Sequence, residues 1–271
     1  VYVKDSNGNF VEAKNSDFDT ASTFYIKKAT IKYTGWQNID GNTYFFDKNG
    51  NKVTGDQVIQ GISYHFTTEG ILATNTSGIK GIDVSKWNGK IDWSAVKASG
   101  VNFVIIRCGY RGSSTGALVE DPTFKKNIKG ANDAGLKVGV YFFSQAVTDV
   151  EAVEEASMTI DLIKKYKISY PVFLDVEGSN GRGDKIDSNT RTAVIQAYCQ
   201  TLKNSGYTPG VYANKSWLSG KMNAGSLSAY KIWLAQYNTE ITYTGKVDMW
   251  QYSSKGSVSG ISGNVDLDIK C

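Results

Sequence analysis

The sequence predicts an α/β chain closed into an eight-stranded barrel, with a small all-β module of hairpin repeats ahead of it. Three observations predict this. Residues 35–50 and 55–70 repeat with a period of 20. From Lys80 onward, strand-like apolar runs alternate with amphipathic helical stretches. Eight such runs can be counted, and eight strands close a small barrel.

The repeat comes first in the chain. GWQNIDGNTYFFDKNG (35–50) aligns without gaps on GDQVIQGISYHFTTEG (55–70). Gly35/Gly55, Gln37/Gln57, Ile39/Ile59, Gly41/Gly61, Tyr44/Tyr64, Phe46/Phe66 and Gly50/Gly70 are identical. Each unit reads strand, Asp-Gly-type turn, strand, turn, the pattern of a β-hairpin. DSNGNFV (Asp5 to Val11) matches DKNGNKV (Asp47 to Val53) at five of seven positions, as the tail of an earlier unit would. This divides the chain into a repeat module over 1–70, a small-residue polar linker over 71–79 and a barrel over 80–271.

The barrel elements follow in order. GIDVSKW (Gly81 to Trp87) reads as strand one, and Asp92 caps a helix that Gly100 stops. NFVIIRCGY (Asn102 to Tyr110) is strand two. Asp121-Pro122 has the form of a cap and first-turn proline, opening a helix to about Gly135. LKVGVYFF (Leu136 to Phe143) is strand three, and Thr148 with Glu151 forms a capping box for a helix to about Tyr166. PVFLDVEG (Pro171 to Gly178) is strand four. A helix from Ser188 to Ser205 stops at Gly206, and TPGVYAN (Thr208 to Asn214) is strand five. KIWLAQY (Lys231 to Tyr237), VDMWQYS (Val247 to Ser253) and NVDLDIK (Asn264 to Lys270) then follow without room for full helices.

Composition excludes several chemistries. The chain has one histidine, His65, and none from Lys80 onward. That removes Ser-His-Asp and Cys-His catalysis and a His-ligated zinc site from the barrel, leaving acid–base work to Asp and Glu. No metal or cofactor is called for. Cys108, Cys199 and Cys271 lack metal spacing and allow at most one disulfide. No apolar run approaches a membrane span. The net charge of +4 is too modest to indicate a nucleic-acid partner. The chain begins at Val1 without Met or signal peptide, as after removal of an export signal or in a fragment of a longer protein.

Strand four carries the chemistry. Asp175 and Glu177 stand two apart in an otherwise apolar run, so Phe173, Asp175 and Glu177 share one face. Unpaired carboxylates in such a strand are costly. Asp83 on strand one and Asp266 on strand eight are placed alike, and in a closed barrel strand eight returns beside strand one. Four acids on three strands then converge at the C-terminal ends of the strands, where barrel enzymes work.

At these residues the chain resembles family-25 glycoside hydrolases, the muramidases (lysozymes) that cut bacterial peptidoglycan. The resemblance covers Ile79 to Ile269 and is carried by GIDVSKWNG, the DPTF…N…A segment at Asp121 to Ala131, GVYFF, FLDVEG, WLAQY, MWQYS and the final VDLD. It implies an irregular (β/α)5(β)3 TIM-like barrel and hydrolysis of the β-1,4 bond between N-acetylmuramic acid and N-acetylglucosamine. Glu177 matches the general acid. Asp175 matches the acid that orients the substrate acetamido group or charge-stabilises the reacting centre, and Asp83 and Asp266 match the other two family aspartates. The Asp-x-Glu pair fits a substrate-assisted, retaining course.

Arg107, Tyr141, Tyr212, Gln236, Trp250 and Tyr252 are candidates to line the sugar cleft, with Arg107 close enough to pair with the acids. Two departures stand out. Asp268 occupies a position where the family commonly has Asn, and is expected to raise the proton affinity of Asp266. RCGYRG (Arg107 to Gly112) replaces a more usual loop with Lys and Glu.

The repeats resemble choline-binding-type cell-wall repeats, in which aromatics of successive hairpins cage a quaternary ammonium. Trp36, Tyr44 and Tyr64 are the residues at those positions; Trp36 stands where the next unit has Asp56. A spacer and a site for choline or another wall polymer both remain open. The expected protein is a monomer, secreted, cell-wall associated or released as a phage lysin, with peptidoglycan as partner. The competing readings are a chitinase-like N-acetylhexosaminidase, whose longer run of acids before the pair is missing here, and a non-catalytic wall-binding protein.

Overall fold

The computed structural model describes residues 2–12, 33–39, 42–59, 62–72 and 78–271. Six short strands occupy the N-terminal part: β1 (Tyr2–Lys4), β2 (Phe10–Glu12), β3 (Gly35–Ile39), β4 (Asn42–Phe46), β5 (Gly55–Ile59) and β6 (Ile62–Phe66). They pair as β1–β2, β3–β4 and β5–β6. The 20-residue repeat reappears as a repeated turn. Asp5 Oδ1 accepts from the backbone N–H groups of Asn7 and Asn9, both at 2.9 Å. Asp47 Oδ1 does the same for Asn49 and Asn51, both at 2.8 Å. Thr67 Oγ1 takes the part of Asp in the third copy, bonding Glu69 N and Ile71 N. Each turn closes on a glycine with positive φ (Gly8, Gly50 and Gly70 at 80°, 82° and 77°), a conformation that a side chain would strain. The Asp-Gly-type turns at 40–41 and 60–61, and most of the linker, lie outside the described residues.

The remaining chain carries β7 (Ile79–Val84), α1 (Trp93–Ala98), β8 (Phe103–Arg111), β9 (Leu118–Glu120), α2 (Phe124–Asp133), β10 (Lys137–Phe143), α3 (Asp149–Ile163) and β11 (Val172–Asp175). There follow α4 (Ser188–Asn204), β12 (Pro209–Asn214), α5 (Lys215–Gly220), β13 (Lys231–Ala235), β14 (Met249–Gly256) and β15 (Val265–Lys270). Strands β7, β8, β10, β11, β12, β13, β14 and β15 hydrogen-bond in that order and close on β7. The first seven are mutually parallel, while β15 runs antiparallel to both of its neighbours. β9 is a short antiparallel addition to β8 outside the ring.

Strand parity separates two cores. Outward side chains such as Val104, Ile106, Val138, Val140, Leu174 and Val211 pack under the helices. Inward ones, Phe103, Ile105, Tyr141, Phe173, Tyr212, Trp233 and Met249, fill the barrel. Aromatic rings fit there because glycine faces them: a Cβ on Gly81 would come within 2.2 Å of the Phe103 ring. The helices start where polar caps allow. Asp92, Thr148 and Asp187 accept from first-turn N–H groups of α1, α3 and α4. Glu151 completes the α3 start by bonding back to Val147 N at 2.8 Å.

Asp121 departs from expectation. Thr123 is the N-cap residue of α2, and the Asp121 carboxylate is buried against other donors instead. The organising strand is also shorter than the sequence suggests. β11 ends at Asp175, although Val176 N still donates to Tyr212 O, so Glu177 stands just past the strand.

Contacts group the chain into two units, one of residues 1–55 and 66–72 and the other of 56–65 and 73–271. Cys108, Cys199 and Cys271 are free thiols, the first two buried. No described helix is long and apolar enough to cross a membrane.

Candidate active site

The antiparallel course of β15 builds one end of the barrel. Asp266, the second residue of β15, lies opposite Asp83 near the end of β7. It therefore reaches the C-terminal rim of the parallel strands from the beginning of its own strand, not from its end as the sequence reading assumed. Asp175 ends β11 beside Tyr212, and Glu177 follows it. Asp83, Asp175, Glu177 and Asp266 are thus gathered on one side of the aromatic barrel filling. Asp83 and Asp175 are buried, whereas Glu177 and Asp266 are partly exposed.

A polar network underlies the acids. Gln251 Nε2 donates to Asp83 Oδ2 at 2.7 Å. The amide oxygen of Gln251 accepts from Tyr212 OH at 2.9 Å and Tyr237 OH at 3.1 Å. Beneath Asp83, Trp233 Nε1 donates to Asp268 Oδ1 at 2.8 Å. Asp175 Oδ1 and Asp268 Oδ2 are buried without a hydrogen-bond partner.

Burial sets the protonation of this cluster. It pushes Asp83 far above the usual carboxylate range, helped by the negative charges of Asp268 and Asp266. Asp175 is pushed up by burial and then by Glu177, against a smaller opposing pull from Arg107. Glu177 is raised by burial first, then by Asp266 and Asp184. Asp266 is raised by burial, and Asp268 is pushed up to about 8, again mainly by burial. Asp268 and Asp266 repel each other, Asp266 adding to the rise of Asp268, and the Asp268 charge also adds to the rise of Asp83.

Arg107 pairs with Asp121 and not with the gathered acids, its Nε donating to Asp121 Oδ2 at 2.8 Å. Asp121 also accepts from Lys86 N, Thr123 N and Thr123 Oγ1. Burial alone would raise its carboxyl, yet these donors and Arg107 hold it below the ordinary value.

Other candidates are dispersed. Tyr141 and Tyr212 line the interior with the acids. Trp250 does not: parity sends Gln251 inward, so Trp250 and its neighbour Tyr252 pack in the outer core. The Gln236 side chain is turned into its own loop, bonding Thr242 Oγ1 and Glu240 O. Gln251 and Tyr237 are the site residues that sequence reasoning missed; the only signal was that Gln251 shares parity with Met249.

The segment after Glu177 is tied down by polar contacts. Asp184 accepts from Ser179 N and Asn180 N, and Gln145 bonds Ser179 Oγ and Gly183 N. Arg182 pairs with Glu151 at 2.8 Å. At the opposite end of the barrel is a cavity of about 350 Å³. Its one carboxylate, Asp248, is paired with Lys231 and Lys246. Among the described residues no group of His, Cys, Asp or Glu is arranged to hold a metal ion.

In the repeats, the Trp36 ring lies 5.1 Å from Phe45 and 5.9 Å from Phe66 and is 39% exposed. Tyr44 is buried, with Lys52 Nζ 3.8 Å from its ring centroid, and Tyr64 is half-buried.

A profile of glycosyl hydrolases family 25 matches residues 82–261, most of the chain, and takes in Asp83, Asp175 and Glu177 while ending ahead of Asp266 and Asp268. The chain belongs to glycosyl hydrolase family 25. A choline-binding repeat profile matches residues 33–77. The autolytic lysozyme of Clostridium acetobutylicum is 33% identical over 193 residues, covering 69% of this chain and 54% of that protein. The chain therefore spans about half the length of this curated relative. The modular autolysin LytC of Streptococcus pneumoniae, in complex with a synthetic peptidoglycan ligand, superposes with TM-score 0.63 at 31% identity, over 88% of this chain and 58% of that one. A second LytC structure, also at TM-score 0.63 and 27% identical, covers 99% of this chain and 74% of that one. The lysozyme of Streptomyces coelicolor matches with TM-score 0.61 at 25% identity, over 72% of this chain and 93% of that one. The family-25 chain is thus similar to lysozymes and to a modular autolysin.

Proposed function

We propose that this family-25 chain is a peptidoglycan muramidase that hydrolyses the β-1,4 bond between N-acetylmuramic acid and N-acetylglucosamine. The observation that carries the reading is the gathering of Glu177, Asp175, Asp83 and Asp266 at the C-terminal rim of the barrel, with Glu177 partly open to solvent and its carboxyl raised. A raised, accessible carboxyl is suited to general-acid work near neutral pH. Glu177 protonates the leaving glycosidic oxygen as the bond to the anomeric carbon breaks. The acetamido oxygen of the muramic acid closes onto that carbon, forming an oxazolinium ion. Asp175, whose Oδ1 has no protein donor, accepts the acetamido N–H and faces the charge that develops. Water then attacks the anomeric carbon and returns a proton to Glu177, giving net retention.

The repeats are proposed to hold the enzyme at the bacterial wall, through choline or another wall polymer, which places the protein at the cell surface or outside the cell. Support comes from the choline-binding repeat match and from the likeness, over 99% of this chain, to a modular autolysin.

Glu177→Gln tests the assignment. Glutamine keeps the shape and lacks the proton, so activity on purified walls should fall about 10²–10⁴-fold with the melting temperature unchanged. Near-full activity would overturn the role given to Glu177.

A further inference from the structure

The turn that follows β7, Lys86–Asn88, presents a ring and a cation at the rim that carries the acids. Trp87 is 79% exposed there. The turn that displays it is tied down on both flanks. Ser85 Oγ accepts from Trp87 N at 3.3 Å, and Asn88 Oδ1 accepts from Ser85 N at 2.9 Å. Lys86 N donates to Asp121 Oδ2 at 3.1 Å, and Asn88 Nδ2 donates to Asn264 O at 3.4 Å. The Lys86 side chain is half-buried, and rings hold its ammonium group: Nζ lies 4.8 Å from the centroid of the Trp87 ring and 5.4 Å from that of Tyr110. Strand register sets Tyr110 level with Phe143, and Phe143 level with Asp175, so this strip and the acids share one tier of the barrel. No described carboxylate forms an ion pair with Lys86, whereas Arg107 and Arg182 are committed to Asp121 and Glu151.

We propose that Lys86 is a specificity-determining residue that binds a carboxylate borne by the O3 substituent of muramic acid, whether the free lactyl group or the peptide stem attached to it. Muramic acid differs from N-acetylglucosamine by this lactyl ether, which ends in a carboxyl group or in a peptide. Acids gathered at the rim repel an incoming carboxylate, so a substrate that carries one needs a cation placed beside them. Lys86 supplies that cation, and its charge is not already spent on a protein carboxylate. Held between two rings, it has little conformational freedom left to lose when an anion arrives. The rings also shield the ammonium group from water, which strengthens its attraction for a charge. Trp87 beside it offers a flat apolar face to the sugar. This inference deepens the muramidase reading and rests on it.

The test uses the full chain with Lys86→Met and Lys86→Arg, and two soluble glycans. One keeps its peptide stems; the other is stripped by an amidase, leaving free lactyl carboxylates. Each is assayed in its native form and with its carboxylates converted to methylamides. KM for at least one native glycan should rise about 3- to 10-fold in Lys86→Met with kcat little changed, the size expected of a partly exposed ion pair. Lys86→Arg should keep the low KM. The methylamide of that glycan should show the higher KM with the unaltered chain and with Lys86→Met alike. A rise confined to stem-bearing strands identifies the stem as the source of the carboxylate, and one confined to stripped strands identifies the lactyl group. An unchanged KM on both native glycans, or an equal rise on native and methylamide forms, would overturn the proposal. Should neither glycan be cut, the muramidase reading is refuted and binding decides the site. Calorimetry then compares a muramic-acid disaccharide, with and without its stem, against the methylamide of each. Tighter binding of an acid form that Lys86→Met abolishes upholds the site, and equal binding of acid and amide in both pairs overturns it.

Discussion

Asp266 sits directly across the antiparallel ladder from Asp83, on the strand that closes the barrel. This pairing brings together, at the C-terminal rim of the parallel strands, two acids more than 180 residues apart in the chain. The rest of the site hangs on the same parity. Inward positions alternate from the aromatic filling up through Asp83, Asp175, Gln251 and Asp268, so acid chemistry rests on a packed hydrophobic base.

Asp175→Asn separates a chemical from a structural role. The usual objection, that Asp175 is the ion-pair partner of Arg107, has no footing because Arg107 is bound to Asp121. Asp175 Oδ1 lacks a partner, and burial disfavours its charge. The melting temperature should therefore stay level or rise, while kcat collapses and KM changes little. A large fall in melting temperature with normal kcat in the cold would contradict this.

Asp121→Asn should act in the opposite way. It leaves the guanidinium of Arg107, which is 11% exposed, without its counter-charge, and replaces one of the two oxygens that accept from Lys86 N and from Thr123 by an amide NH2. Breaking a buried pair costs about 3–5 kcal/mol. For a domain of this size that lowers the melting temperature by roughly 6–20 °C. Calorimetry at neutral pH reads it directly, and a shift below about 2 °C would show that the Arg107 pair is not structural.

Much of this was legible in sequence, and the losses have physical causes. The strands were readable because parallel strands buried on both faces are continuous apolar runs. That same continuity hides parity: in MWQYS nothing local says that Gln251 points in and Trp250 out, so the conspicuous aromatics were chosen over the glutamine that binds Asp83. The direction of β15 depends on how a short connection folds back on β14, which no pattern within β15 reveals. Asp121 precedes a proline, the local signature of a cap, but the long-range partner Arg107 claims its carboxylate. The four rim acids were found because each is anomalous in its own strand.

Stability should decline as pH rises from about 5 to 8. Asp83, Asp175, Glu177, Asp266 and Asp268 have folded-state pKa values raised by burial, Asp268 to about 8, so in this window the folded chain holds more protons than the unfolded one. Unfolding free energy then falls with pH. Asp121, Glu151 and Asp248 are shifted downward, and the stability they add is already complete above about pH 4.5 and is lost only on further acidification. Melting temperatures should peak near pH 5 and fall toward pH 8, less steeply in Asp268→Asn. A melting temperature that climbs across this window would contradict the protonated cluster.

Mass spectrometry of the fragments released from purified peptidoglycan, after borohydride reduction, tests the central claim most directly. A muramidase leaves new reducing ends at N-acetylmuramic acid, so the products should carry N-acetylmuramitol, and Glu177→Gln should release almost none. Products ending in reduced N-acetylglucosamine, or cleavage confined to the peptide stems, would contradict it.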